Sequence, residues 1–159
     1  MFCLLNSIYI LGVNELNFLN LNNFNYIINC SISLNNMFSN PNYINLNLDK
    51  SINLMINTIV QLFDFLYKCL QSNLKVILLD ESGKDNSIFL CIMFMMKYYK
   101  KDFETIYFTL SNFLQIHPKE YYNSINDVQY FLLNNSVFNN NIILNNTNTI
   151  FKNQNKNNI

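Results

Sequence analysis

The sequence predicts an α/β domain, a central sheet covered by helices, and three observations predict it. The run KVILL at 75–79 is apolar, β-branched and bounded by polar residues, as a fully buried strand is. Helix-patterned segments precede and follow it. Between strand and helix, over 75–99, lies a polar loop with a glycine, at the carboxyl end of the strand, where sites in such sheets usually lie.

The elements follow in chain order. SIYILG at 7–12 reads as a short strand closed by one of the chain's 2 glycines. NELNFLNLNNF, at 14–24, spaces Leu16, Leu19 and Phe24 as a weak helix. YIINC at 26–30 is rich in strand formers. After a turn at Pro41, YINLNLD at 43–49 alternates towards Asp49 as a strand that ends in a loop. From 53 to 70 the apolar set Leu54, Ile56, Ile59, Val60, Leu62, Phe63, Leu66, Tyr67 and Leu70 fits a period of 3.6, hence a helix. SIFLCIMFMMKYY at 87–99 is apolar on every side and predicts a buried central helix. Asp102 is placed to cap an amphipathic helix, and Pro118 to open another over 118–133. The Asn-rich remainder, 134–159, reads as a poorly ordered tail, leaving one domain over 1–133.

Composition narrows the function. Half of the 159 residues are hydrophobic, enough for a real core. The formal net charge is zero, which gives no electrostatic case for nucleic acid or an anionic membrane. Ala, Arg and Trp are absent and all 10 basic residues are Lys, a bias that suits an AT-rich genome. Without a guanidinium, no bidentate grip on phosphate is available. Cys3, Cys30, Cys69 and Cys91 each fall in an apolar run without C-x-x-C spacing and read as buried thiols of a reducing compartment. The only histidine, His117, has no cysteine pair near it, so neither a metal nor another cofactor is expected. The apolar start lacks a positive leader region and is interrupted by Asn6, and no apolar run is long enough to span a bilayer.

The loop, LDESGKDNS at 79–87, has three readings. As a Walker B strand it lacks a partner phosphate loop: Gly83-Lys84 is followed by Asp85, and Leu78 stands where the first glycine belongs. As the D-x-D of a haloacid-dehalogenase-type phosphatase it has Ser82 in place of the second Asp. Against the cysteine-phosphatase pattern H-C-x-x-G-x-x-R-S, Gly83 and Ser87 match, while Leu79, Asp80 and Asn86 replace His, Cys and Arg.

Matches outside the loop favour the third reading. SIYILGVNEL, FNYIINCS, YINLNLD, SIFLCIMFMMK and IHPKEYYNSI, in that order, resemble successive segments of the dual-specificity protein phosphatases, with Pro118 and Tyr122 on the family's proline and aromatic. The resemblance runs from about residue 7 to about residue 133, and its strength is collinearity. It implies a cysteine-phosphatase-like fold with a phosphate-loop-like strand, loop and helix over 75–99.

The resemblance also implies roles. Asp80 takes the nucleophile position, Asn86 the arginine position and Asp49 the general-acid position. Asp80, Glu81, Ser82, Gly83, Lys84, Asp85, Asn86 and Ser87 form a degenerate phosphate loop. A carboxylate among backbone N–H groups at a helix start acts as a built-in anion. The pattern resembles the catalytically inactive branch, the phosphoserine/threonine/tyrosine-interacting proteins. That branch implies a cytoplasmic, or also nuclear, binding protein for a phosphoprotein or kinase. The alternative is a residual phosphatase that uses Asp80 as nucleophile and Asp49 as acid. The aromatic residues Tyr107, Tyr121, Tyr122 and Tyr130 suggest an interface.

Overall fold

The computed structural model describes residues 1–34, 42–46, 52–114 and 129. Among the described residues five strands form one sheet: β1 (Phe2–Leu4), β2 (Ile8–Gly12), β3 (Tyr26–Asn29), β4 (Tyr43–Asn45) and β5 (Val76–Asp80). Their spatial order is β1-β2-β5-β3-β4. β1 runs antiparallel to β2, and every other pairing is parallel. The last of these five in sequence, β5, is therefore the middle one, joined on one side to β2 (Ile8↔Val76 to Gly12↔Asp80) and on the other to β3 (Tyr26↔Val76 to Asn29↔Leu79).

The strand period of two divides the core between the two faces. Val76 and Leu78 of β5, Ile8 and Ile10 of β2, and Ile28 of β3 face the larger cluster, which includes α1 (Ile52–Gln71), α2 (Asn86–Tyr99) and α3 (Phe103–Ser111). Ile77 and Leu79, with Leu11 and Ile27, face a smaller cluster closed by Leu16. Both faces are covered, so β5 has no polar alternation and all five of its residues are buried. Each of its apolar side chains contributes roughly 1.5–3 kcal/mol by leaving water.

The helices follow from their patterns. α1 buries Ile59, Leu62, Phe63, Leu66 and Cys69, one stripe at helical spacing. α2 is buried continuously from Ser87 to Lys97, because the sheet, α1 and α3 leave it no wet face; Phe63 packs on Phe94 at 5.6 Å. Met93, Met95 and Met96 are core residues of this helix. α2 stops where Lys100 turns left-handed, and α3 begins two residues later with the Asp102 carboxylate accepting from the Thr105 N–H at 2.7 Å.

Several expectations change. The apolar start contains an extra strand, β1: Leu5 and Asn6 take positive φ and Ser7 N donates to Leu4 O, so Asn6 makes a hairpin turn. The weak helix over 14–24 is two 3₁₀ turns, Val13–Phe18 and Leu21–Asn23. Asn20 explains part of this, since its side chain accepts from Asn22 N and offers the backbone a turn instead of a helix. Among the described residues the strand expected over 43–49 is Tyr43–Asn45. Cys3 is exposed, because β1 is an edge strand, which corrects the expectation of four buried thiols; Cys30, Cys69 and Cys91 are buried. No helix is long and apolar enough to cross a membrane among the described residues. Asp49, His117, Pro118, Tyr121, Tyr122, Tyr130 and the tail at 134–159 lie outside the described residues.

Candidate functional site

The site forms where β5 ends and α2 begins. Asp80 is the last residue of β5 and pairs with Gly12, the last residue of β2. The chain's only two glycines meet here. A Cβ on Gly12 would lie 2.7 Å from the Ser82 carbonyl carbon and oxygen, and one on Gly83 would lie 2.4 Å from Gly12 N. Gly83 also has φ +70, which glycine adopts without strain. Val13 N donates to Glu81 O at 3.3 Å and fixes the loop against β2 from the other side. Backbone touches backbone at this point, so glycine is required on both sides for a steric reason.

The loop wraps around the Asp80 carboxylate. Oδ1 accepts from Ser82 N at 3.0 Å and from Gly83 N. Oδ2 accepts from Asp85 N at 3.2 Å, Ser87 N at 2.9 Å and the Ser87 hydroxyl at 2.7 Å. Four backbone N–H groups and a hydroxyl thus converge on one carboxylate that is 2% exposed. Asp85, at the N-cap position of α2, makes no side-chain cap bond, and Asp80 caps the helix from across the loop. A negative charge here is favoured by the helix dipole and by each donor.

The outer loop is polar. Glu81, Ser82, Lys84 and Asp85 are exposed. Ser82 Oγ donates to Asp85 Oδ2 at 2.8 Å and accepts from Lys84 N at 2.9 Å. The Ser31 hydroxyl lies 3.4 Å from Glu81 Oε1 and 2.8 Å from the Ser33 hydroxyl. Two exposed carboxylates, Glu81 and Asp85, therefore lie on the outer loop, and a third, Asp80, fills its interior.

Asn86 points to the protein. Its side-chain amide donates to Cys30 O at 2.9 Å and ties the first turn of α2 to the end of β3. Asn29 extends this seam, donating to Asn45 Oδ1 at 2.8 Å and accepting from Ser31 N at 2.9 Å. The thiol beside the loop is Cys30; burial and then the Asp80 charge push its pKa well above the ordinary range, so it stays a thiol. Burial pushes Cys91 up to about 12. Neither is a thiolate nucleophile at neutral pH.

Of the residues expected in the loop, Asp80 ends β5, Glu81, Ser82, Gly83, Lys84 and Asp85 form the connection, and Asn86 and Ser87 open α2. Three contacts that shape the site are not legible in the loop alone: the Gly12–Gly83 contact, the Asn86–Cys30 tie and the Asn29–Asn45 bridge. Glycine scarcity was a signal for the first. Asn abundance hid the other two. No group of three or more metal-ligating side chains occurs among the described residues.

No family model matches the sequence, and no curated protein matches it. Among solved structures, the crystal structure of the PTP-2 phosphatase of Cydia pomonella is similar, with a TM-score of 0.57 and 16% identity over 75% of this chain and 83% of that one. The chain has a phosphatase-like fold. At this identity the likeness carries the architecture, a mixed α/β sheet flanked by helices, and the fold expected from the sequence holds.

Proposed function

We propose that this protein is a non-catalytic, phosphatase-fold binding module, a pseudophosphatase whose partner is another protein, a phosphoprotein or a kinase, in the cytoplasm or nucleus. The observation that carries this reading is the state of Asp80: its carboxylate holds the N–H groups that a phosphoryl oxygen would need. Phosphoryl transfer at such a loop needs a thiolate to attack phosphorus and an arginine to hold the equatorial oxygens. The residues here are a buried carboxylate and an amide turned onto Cys30 O. Bringing a phosphate dianion to about 4 Å from Asp80 costs several kcal/mol even at an effective dielectric of about 20. Glu81 and Asp85 add to that repulsion.

The test is hydrolysis of a fluorogenic aryl phosphate by the native protein beside an Asp80→Cys/Asn86→Arg double variant. The expected result is no turnover by the native protein and vanadate-sensitive turnover by the double variant. Turnover by the native protein, with a hydroxylamine-sensitive phosphoenzyme lost in Asp80→Asn, would make it an acyl-phosphate enzyme and end the binding-module reading.

A further inference from the structure

The loop between β5 and α2 gathers Ser82 N, Gly83 N, Asp85 N, Ser87 N and Ser87 Oγ around one point at the start of a 14-residue helix. Donors gathered this closely, with those of Ser87 buried, do not keep their shape empty, since a buried N–H without an acceptor destabilises the fold. Loops that present successive N–H groups at a helix start ordinarily take their anion from solvent. Here the anion is covalently attached, sits one residue before the loop and is 2% exposed. Every donor that faces the centre is directed at its two oxygens.

We propose that Asp80 is a tethered ligand: a carboxylate that holds the loop permanently in its anion-occupied shape and shuts free oxyanions out. The inference rests on the proposed function in that it concerns the same loop, and it adds how that loop is kept closed. Two consequences follow. The native loop is ordered without any ligand. Removing the carboxylate converts the loop into one whose order depends on an oxyanion from solution.

The experiment is thermal unfolding of the full chain, native and Asp80→Ala, titrated with sodium sulfate and, at matched ionic strength, with sodium chloride. Sulfate stabilises proteins generically, and the native protein supplies that baseline. The variant is expected to melt well below the native protein without sulfate and to regain most of the loss along a saturable sulfate curve that chloride does not reproduce. Adding Ser87→Ala to the variant is expected to weaken the sulfate response several-fold, because it removes a donor. If the single variant does not fold, refolding yield in sulfate against chloride is the readout, with recovery in sulfate alone expected. Equal curves in the two salts, recovery in neither, or a native protein as sulfate-responsive as the variant would overturn the tethered ligand. Turnover by the native protein would instead sink the non-catalytic reading, so the two failures are distinguishable.

Discussion

Gly83 stands in a left-handed conformation with its α-carbon against the backbone of β2. An added methyl group would meet Gly12 N at 2.4 Å, which neither a rotamer change nor a small shift relieves. Gly83→Ala is therefore expected to cost about 2–4 kcal/mol, combining backbone strain with a forced separation of the loop from β2. Urea denaturation measures it, and a loss below about 0.5 kcal/mol would mean that the glycine contact is not tight. Glycine needs were readable in the sequence to this extent: Gly12 was visible as a strand end and Gly83 as a loop residue. Their contact was not, because it joins positions far apart in the chain. Asn86 shows the reverse limit. Its place in the loop pattern was legible, but the carbonyl it binds is that of Cys30, just past the end of β3, which only the fold brings near.

The helices carry a different kind of information. Asp64 on α1 and Lys97 on α2 are near enough for their charges to interact, and Lys97 is buried. Asp64 Oδ1 is buried without a hydrogen-bond partner among the described residues. Burial raises the Asp64 pKa above the ordinary carboxylate range, against the opposing pull of Lys97 and Lys68. The native state thus holds this proton more tightly than the unfolded chain does. Its contribution to stability is fully present below the unfolded pKa of about 4 and is lost as pH rises through the raised folded value. Asp64→Asn is expected to remove that decline. Urea midpoints for both proteins over about pH 4–7 check it, and two parallel curves would contradict it. Burial likewise lowers the Lys97 pKa while Asp64 raises it, so the pair leaves a cost at neutral pH that a hydrophobic pair would avoid. The α2 pattern, apolar all round, showed a buried helix but gave no sign that its lysine would be buried with it.

For the molecule as a whole, the sequence was most legible where period and burial agree. β5, α1 and α2 stood out because a fully apolar strand and long helical stripes have few alternative readings. Strand order was not legible, since nothing local places β5 between β2 and β3. The edges were least legible: β1 was hidden in an apolar run, and its Cys3 looked like any other buried thiol. That error has a measurable counterpart. Thiol labelling of the native protein is expected to modify Cys3 alone, while Cys30, Cys69 and Cys91 react only on unfolding. Burial raises Cys69 to about 11 and Cys91 to about 12, which withdraws both chemically as well as sterically. Rapid labelling of a second thiol in the native state would show that the core opens.

The central position of β5 also sets the timetable of synthesis. β2 and β3 do not pair with each other; both wait for Val76–Asp80, which is made only after α1. Until those five residues leave the ribosome, the nascent chain carries two apolar strands with their facing edges open. The sheet of this chain is consequently expected to close late and through non-local pairing, with its most aggregation-prone moment before that strand emerges.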